Sequence, residues 1–161
     1  MENVKNIAQY ICDEYKRVSG EDIDEMKLHK LLYLSQRESL AITNMPLFES
    51  DFEGWRYGPV CREIRDSFIH NKIDGAHSEI NDESKFILKS IVLQYGVYDS
   101  WKLSEISHNE ISWKNARKGL SSDENGRQIL DINDIREDAK KIRPYDSVWD
   151  MYYDEFEDAK L

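Results

Sequence analysis

Apolar residues recur at helical spacing along most of this chain, with charged residues on the opposite faces. The first such stretch predicts a helix that ends at Ser19-Gly20 and buries one face: Val4, Ile7, Ala8, Ile11, Cys12 and Tyr15. A second helix is expected to begin near Asp24, a suitable N-cap, and to bury Leu28, Leu31 and Leu32. This second helix should end at Asn44-Met45-Pro46, where the helical pattern breaks.

The segment from residue 47 to residue 57 is rich in aromatic side chains and predicts a loop with at most one short strand. Pro59 follows a glycine and opens a run in which three apolar residues lie four apart: Val60, Ile64 and Phe68. Because proline suits the first position of a helix, we predict that a helix begins at Pro59. If the preceding motif is a strand, alternation places Trp55 and Tyr57 towards the core and Arg56 on the opposite face.

Further helices are predicted in the second half of the chain. Residues 71–82 form a polar loop, and the next helix spans residues 84–95 and ends before Gly96. A shorter helix begins at the cap Asp99-Ser100, and another carries Trp113.

The chain after these helices predicts one more strand and one more helix. Residues 128–132 could form a small strand, and Asn133 could cap a last helix that Arg143-Pro144 would end. The expected fold is therefore mainly α, with at most one or two short strands. It is a single compact multi-helix domain at residues 1–143, followed by an acidic aromatic C-terminal helix or tail at residues 144–161.

Negative charge is concentrated at the C-terminus. The formal net charge of the 161 residues is −10, and residues 144–161 hold six acidic side chains against one lysine. Half of the net charge therefore lies in a small fraction of the chain, and no basic stripe is present elsewhere. Such a surface repels phosphate backbones, so we expect no direct binding to nucleic acid.

The acidic C-terminal segment also carries apolar and aromatic residues at helical spacing: Tyr145, Val148, Trp149, Tyr152 and Phe156, with Tyr153 beside them. A helix of this length is marginal in water by itself, so it should fold against another surface. That surface could be the chain's own core or a basic groove on a partner protein, and the sequence leaves both open.

Nothing in the sequence predicts a membrane protein or a secreted one. No apolar run approaches the roughly 20 residues that a membrane span requires, and the first residues lack the pattern of a signal peptide. Cys12 and Cys61 do not form a CxxC pair. We therefore expect reduced thiols, a cytoplasmic location and no membrane partner.

A search for catalytic chemistry leaves two weak clusters. The histidines and cysteines lack the short spacings of zinc ligands, and the glycines form no phosphate-binding loop, so no metal or cofactor is predicted. His108 with Glu110 near Trp113 resembles a site, but short polar residues between helices usually cap them. Cys61 could pair with a distant histidine, although free cysteines are commonly small buried residues. We therefore predict that the protein is not an enzyme.

Three motifs occur in a fixed order: residues 27–34 (KLHKLLYL), 52–60 (FEGWRYGPV) and 103–113 (LSEISHNEISW). Together they resemble the Panacea antitoxin domain, a SocA-like family that includes phage-associated GepA-type proteins. The resemblance extends from about Tyr10 to Ile142. The chain departs from the family at Ser112, where many members have proline.

The resemblance implies a role in a toxin–antitoxin system of a bacterium or a phage. Members of the family neutralise a co-encoded toxin by direct binding, and one branch delivers its toxin to a ClpXP-type protease. The sequence-based candidates for partner binding are the following aromatic and cationic residues: Trp55, Arg56, Tyr57, Tyr145, Trp149, Tyr152, Tyr153 and Phe156. Two alternatives remain, an enzyme that uses His108 and Glu110 or Cys61, and a phage inhibitor of a host defence protein.

Overall fold

A long central helix organises the fold. In α2 (Glu25–Thr43), every residue from 27 to 40 is buried, because other elements pack around all sides of the helix. The computed structural model describes residues 1–69, 73, 75 and 79–142. In these residues, six further helices and one hairpin surround α2: α1 (Val4–Ser19), β1 (Phe52–Trp55), β2 (Gly58–Cys61), α3 (Arg62–Ile69), α4 (Asp82–Tyr95), α5 (Ser100–His108), α6 (Ile111–Ala116) and α7 (Ile132–Ala139).

The predicted mainly α fold is confirmed, and the ends of several helices lie where the sequence placed them. Gly20 follows α1 in the left-handed region at φ 77°, and Asn44 does the same after α2 at φ 61°. The Asp24 side chain accepts a hydrogen bond from the Lys27 amide at 2.8 Å, and Asp99 caps α5 in the same way. Local capping chemistry therefore determines these boundaries.

The predicted helix start at Pro59 is wrong. Pro59 lies in β2, opposite Gly54 of β1, and α3 begins only at Arg62. A hairpin of two short strands can hold a proline because its outer edge needs no further amide donor. The Gly-Pro pair therefore begins the second strand of the hairpin, antiparallel to β1, and the helix starts three residues after Pro59.

The structure also changes the two predictions for the segment before α7. Residues 128–130 make a single antiparallel bridge to β1, and the Leu130 amide donates to the Phe52 carbonyl at 2.8 Å. The predicted strand at residues 128–132 is therefore reduced to this one bridge. Asp131, and not Asn133, caps α7, because the Asp131 side chain accepts from the Asn133 amide.

Polar residues of α2 are buried together with the apolar ones. Lys27 donates to the Tyr15 hydroxyl and the Gly96 carbonyl at 3.1 and 3.0 Å. The Gln36 amide group bonds the backbone of Phe48 in both directions. Since buried polar groups need partners, these bonds fix the loops around the helix.

The acidic segment 144–161 and its predicted anchors lie outside the described residues. Half of the predicted polar loop at residues 71–82 also lies outside them. The predicted helix end at Arg143-Pro144 is wrong, because α7 already ends at Ala139 and Lys140 is its C-cap. Among the helices that the structure describes, none is long and apolar enough to cross a membrane.

Candidate partner-binding surface

The hairpin between β1 and β2 turns at Arg56 and Tyr57. Trp55 pairs with Gly58 across the two strands, so only these two residues connect them. Gly58 has a φ of 118°, and a Cβ atom there would lie 2.6 Å from both Lys30 Cε and Ser107 Oγ. The position therefore requires glycine, both for its backbone conformation and for its close approach to α2 and α5.

Three helices hold this hairpin turn from behind. Lys30 Nζ of α2 donates to the Pro59 carbonyl at 3.3 Å, and Ser104 Oγ of α5 donates to the Tyr57 carbonyl at 2.6 Å. Trp113 Nε1 of α6 donates to the carbonyl of Trp55 at 2.8 Å. The three sequence motifs thus meet at one point, because each contributes either the turn or a bond that holds it.

The aromatic residues of the hairpin face outwards, contrary to the prediction that the core holds both. Trp55 is half-buried and Tyr57 is 40% exposed. Strand alternation does not continue through the turn, because β1 ends at Trp55, and the inward residues of β1 are Phe52 and Gly54. Arg56 lies against the Tyr57 ring, with Cζ 5.0 Å from the ring centroid.

Trp101 of α5 extends this aromatic surface and was not singled out from the sequence. It is 63% exposed, and its ring meets that of Tyr57 edge to face at a centroid distance of 5.3 Å. The spacing along α5 nevertheless indicates that Trp101 is exposed, because Trp101 and Leu103 are two apart and residues two apart on a helix do not share a face. Leu103 is fully buried, so Trp101 must point away from the core.

A recess of about 400 Å³ opens beside Tyr57. Its walls are mainly apolar, and the residues that line it are Glu25, Met26, His29, Lys30, Trp55, Arg56, Tyr57, Gly58, Val60, Arg65, Asp123 and Asn125. Arg62 and Arg65 flank the Trp55 ring, with Cζ atoms 5.6 and 5.3 Å from its centroid. The Trp55–Tyr57 turn, Trp101 and this recess are called the hairpin surface below.

The convergence of the three motifs on one hairpin agrees with the comparison to known families. The family model described as "Antitoxin SocA-like, Panacea domain" matches residues 28–114, which is more than half of the chain. The chain belongs to this family. Neither curated proteins nor solved structures give a match. Membership supports an antitoxin-type role, with a toxin as the partner in general terms, and suggests that the role is not enzymatic.

The matched segment of this SocA-like domain runs from α2 to α6. It contains the whole hairpin and the three helix side chains that bond its backbone, together with Trp101 and most of the recess. The structure thus places Trp55, Arg56 and Tyr57 together at the turn, with Tyr57 exposed and the other two half-buried. The other predicted partner-binding residues belong to segment 144–161, outside the described residues.

The structure gives His108 and Glu110 separate partners. The His108 ring stacks on Trp113 at a centroid distance of 4.1 Å, and burial, followed by the charge of Lys30, lowers its pKa. Glu110 instead accepts from Arg37 Nη1 at 3.0 Å and from the Tyr33 hydroxyl at 3.2 Å. The two side chains therefore take part in different structural contacts and form no acid–base pair.

The helix junction in this SocA-like domain is capped from another helix. Glu110 stands at the N-cap of α6 without a side-chain cap bond. Asp138 of α7 supplies it, accepting from the amides of Ile111 and Ser112 at 2.7 and 2.9 Å. The expected capping is present, but the side chain that performs it comes from a residue 26 positions further along the chain than Ser112.

Cys61 is buried and Cys12 is partly buried, and the surroundings of both disfavour a reactive thiolate. Burial is the main cause that raises the pKa of Cys12 and of Cys61 to about 11. A thiol nucleophile acts as the thiolate, which these pKa values disfavour at neutral pH. Within the described part of the chain, no three His, Cys, Asp or Glu side chains are grouped to hold a metal ion.

Proposed function

We propose that this protein neutralises a cognate protein toxin by direct binding, and that the hairpin surface contacts the toxin. The observation that carries the proposal is the exposed pair of Tyr57 and Trp101, packed against each other at the point where the family motifs meet. Exposed aromatic clusters of this kind mark interaction sites, because burying their apolar surface against a partner removes it from water, which is favourable.

The residue types and their rigidity favour a strong interface. Tryptophan, tyrosine and arginine are the types enriched at the energetic centres of protein interfaces. Here the turn is fixed by hydrogen bonds from three helices, so its aromatic rings lose little conformational freedom when a partner binds. The salt bridge from Arg56 to Asp123, at 3.3 Å, orients the cation at the edge of the surface.

Neutralisation could proceed by blocking the toxin's active site or by delivery to a ClpXP-type protease. Both mechanisms begin with the same contact between this protein and the toxin. Measuring the amount of toxin in the cell distinguishes them. Blocking leaves the toxin level unchanged, whereas delivery shortens the toxin's half-life in cells that contain the protease and restores it in cells that lack the protease.

Co-expression with the product of the neighbouring gene tests the proposal. We expect the chain to rescue growth and to co-purify with that product, and His108→Phe and Cys61→Ala to rescue equally well. The phenylalanine keeps a ring to stack on Trp113, so this variant removes only the acid–base group. Loss of rescue in either folded variant would support an enzyme and contradict the binding role.

The acidic segment is proposed as a second contact. Deleting residues 144–161 should weaken neutralisation, since Trp149 and Tyr152 would supply anchors and the acids would complement a basic groove. The matched control keeps the aromatic residues and changes the six acids to Asn and Gln. Affinity for the purified toxin, measured at two salt concentrations, reports both contributions. Unchanged affinity after the deletion would show that this segment does not bind the toxin.

A further inference from the structure

His29 leaves a hydrogen-bond donor unused beside the recess. Its side chain is 2% exposed, and its Nδ1 accepts a hydrogen bond from the Cys61 amide at 3.2 Å. The neutral ring must therefore carry its proton on Nε2. That atom is buried and has no hydrogen-bond partner, since the Glu25 Oε2 atom beside it is 3.6 Å away, beyond hydrogen-bond distance.

Lys30 is a second buried donor at the same recess. It is 2% exposed and makes one hydrogen bond, to the Pro59 carbonyl, although an ammonium group can donate three. It forms no ion pair with any residue in the described ranges. The two acids that line the recess are engaged by other cations, Glu25 by Arg65 and Asp123 by Arg56.

The recess thus combines apolar walls with two buried side chains that can donate further hydrogen bonds, His29 and Lys30. Met26, Trp55, Tyr57 and Val60 supply apolar and aromatic surface, and about 400 Å³ is room for a few side chains. A purely apolar occupant would leave the donors unsatisfied, and a second cation would add to the charge of Lys30. An occupant that fits must bring an anionic acceptor on an apolar body.

We propose that the recess binds a carboxylate side chain of a protein partner, flanked by aromatic or aliphatic residues, with Lys30 and His29 donating to the carboxylate. The carboxylate would complete the hydrogen bonding of both donors, while its neighbours pack on Trp55 and Tyr57. The continuity of the recess with exposed Trp101 favours a macromolecular partner over a small acid. This inference rests on the proposed function, which makes the partner the toxin.

Two capped tripeptides that differ in one group test the inference on the isolated full-length chain. N-acetyl-Phe-Asp-Phe-amide should bind at least about tenfold more tightly than N-acetyl-Phe-Asn-Phe-amide at pH 6.5, because charged hydrogen bonds are the stronger ones. Titrations followed by NMR give both affinities. Lys30→Met should abolish the preference, whereas Lys27→Met should keep it, since Lys27 is a buried lysine of the same helix that bonds Tyr15 and Gly96 instead.

A pH series on the unmodified protein keeps the test decisive if Lys30→Met does not fold. Burial lowers the pKa of Lys30 to about 7, against the opposing charges of Asp24 and Glu25. The charge of Lys30 also acts on His29 and His108, and Arg65 lines the same recess. A bound carboxylate raises that pKa, so the preference for the Asp peptide should be full at pH 6 and fall as the pH rises from 7 to 9.

Two outcomes would overturn the inference. Equal affinities for the two peptides would show that the donors do not recognise a carboxylate. Binding of 3-phenylpropionate as tight as that of the Asp peptide would identify a site for small acids and not for a partner's side chain. Because these titrations contain no toxin, they can fail while growth rescue still succeeds, and the reverse also holds.

Discussion

Glu110→Ala is expected to destabilise the protein by about 3–5 kcal/mol, a large share of the roughly 5–15 kcal/mol that holds a typical domain folded. The Arg37 and Glu110 side chains are 9% and 7% exposed and form an ion pair at 3.0 Å. Removing the acid leaves Arg37 as a buried cation without its partner, and the Tyr33 hydroxyl loses one of its contacts. Urea unfolding followed by circular dichroism measures the loss.

A matched surface pair controls for the loss of an acid as such. Glu137 pairs with Lys140 at 2.7 Å, but both side chains are more than half exposed. Glu137→Ala should therefore change stability by no more than about 1 kcal/mol. If Glu110→Ala costs as little as this control, the buried pair does not stabilise the fold.

A double substitution separates the pair's own contribution from the cost of breaking it. Arg37→Met with Glu110→Leu removes both charges and keeps apolar volume, so it should unfold less readily than Glu110→Ala. The pKa directions support this expectation. Burial is the main cause that raises the pKa of Glu110, the charge of Arg37 opposes it, and the charge of Asp138 raises it further. Keeping the Glu110 carboxylate charged in the interior therefore costs desolvation free energy, which an apolar pair would avoid.

Much of the helical framework could be predicted because its causes are local. The apolar spacing of α1 and the caps Asp24 and Asp99 lie within a few residues of the ends that they determine. The hairpin could not be predicted in this way. Its glycine depends on the approach of Lys30 and Ser107, which are 28 and 49 positions away in the sequence and far beyond any local pattern.

The burial of the polar face of α2 could not be predicted for the same reason, since it depends on residues distant in the sequence. Arg37 and Gln36 look like solvent-facing residues in the helical pattern, and only the apolar positions were predicted to be buried. Their partners lie 73 and 11 residues away, at Glu110 and Leu47. A single sequence does not show that other elements cover this face, so the buried donors at the recess were also missed.

Trp101→Ala and Tyr57→Ala are each expected to weaken toxin binding about 30-fold or more, which corresponds to about 2 kcal/mol per residue at an interface centre. Both side chains are exposed in the free protein, so neither substitution opens a cavity, and the fold should lose less than about 1 kcal/mol. Binding to the purified toxin by calorimetry, with unfolding measured alongside, separates the two effects.

Met45→Ala is the matched control, since Met45 is 58% exposed and follows the opposite end of α2 from the recess. About 26 Å of helix separates Met26 in the recess wall from Thr43, two residues before Met45, by the rise of 1.5 Å per residue. It should leave affinity unchanged. Arg56→Ala should fall between the two, because Arg56 already pairs with Asp123 at the protein surface.

Growth rescue converts the affinity loss into a functional result. A toxin that is lethal when a small fraction remains free should kill cells that carry Trp101→Ala, although the variant is folded and present at the normal level. Cells that carry Met45→Ala should survive. If both aromatic variants rescue as well as the native chain at matched expression, the toxin binds elsewhere, and the acidic segment becomes the surface to test.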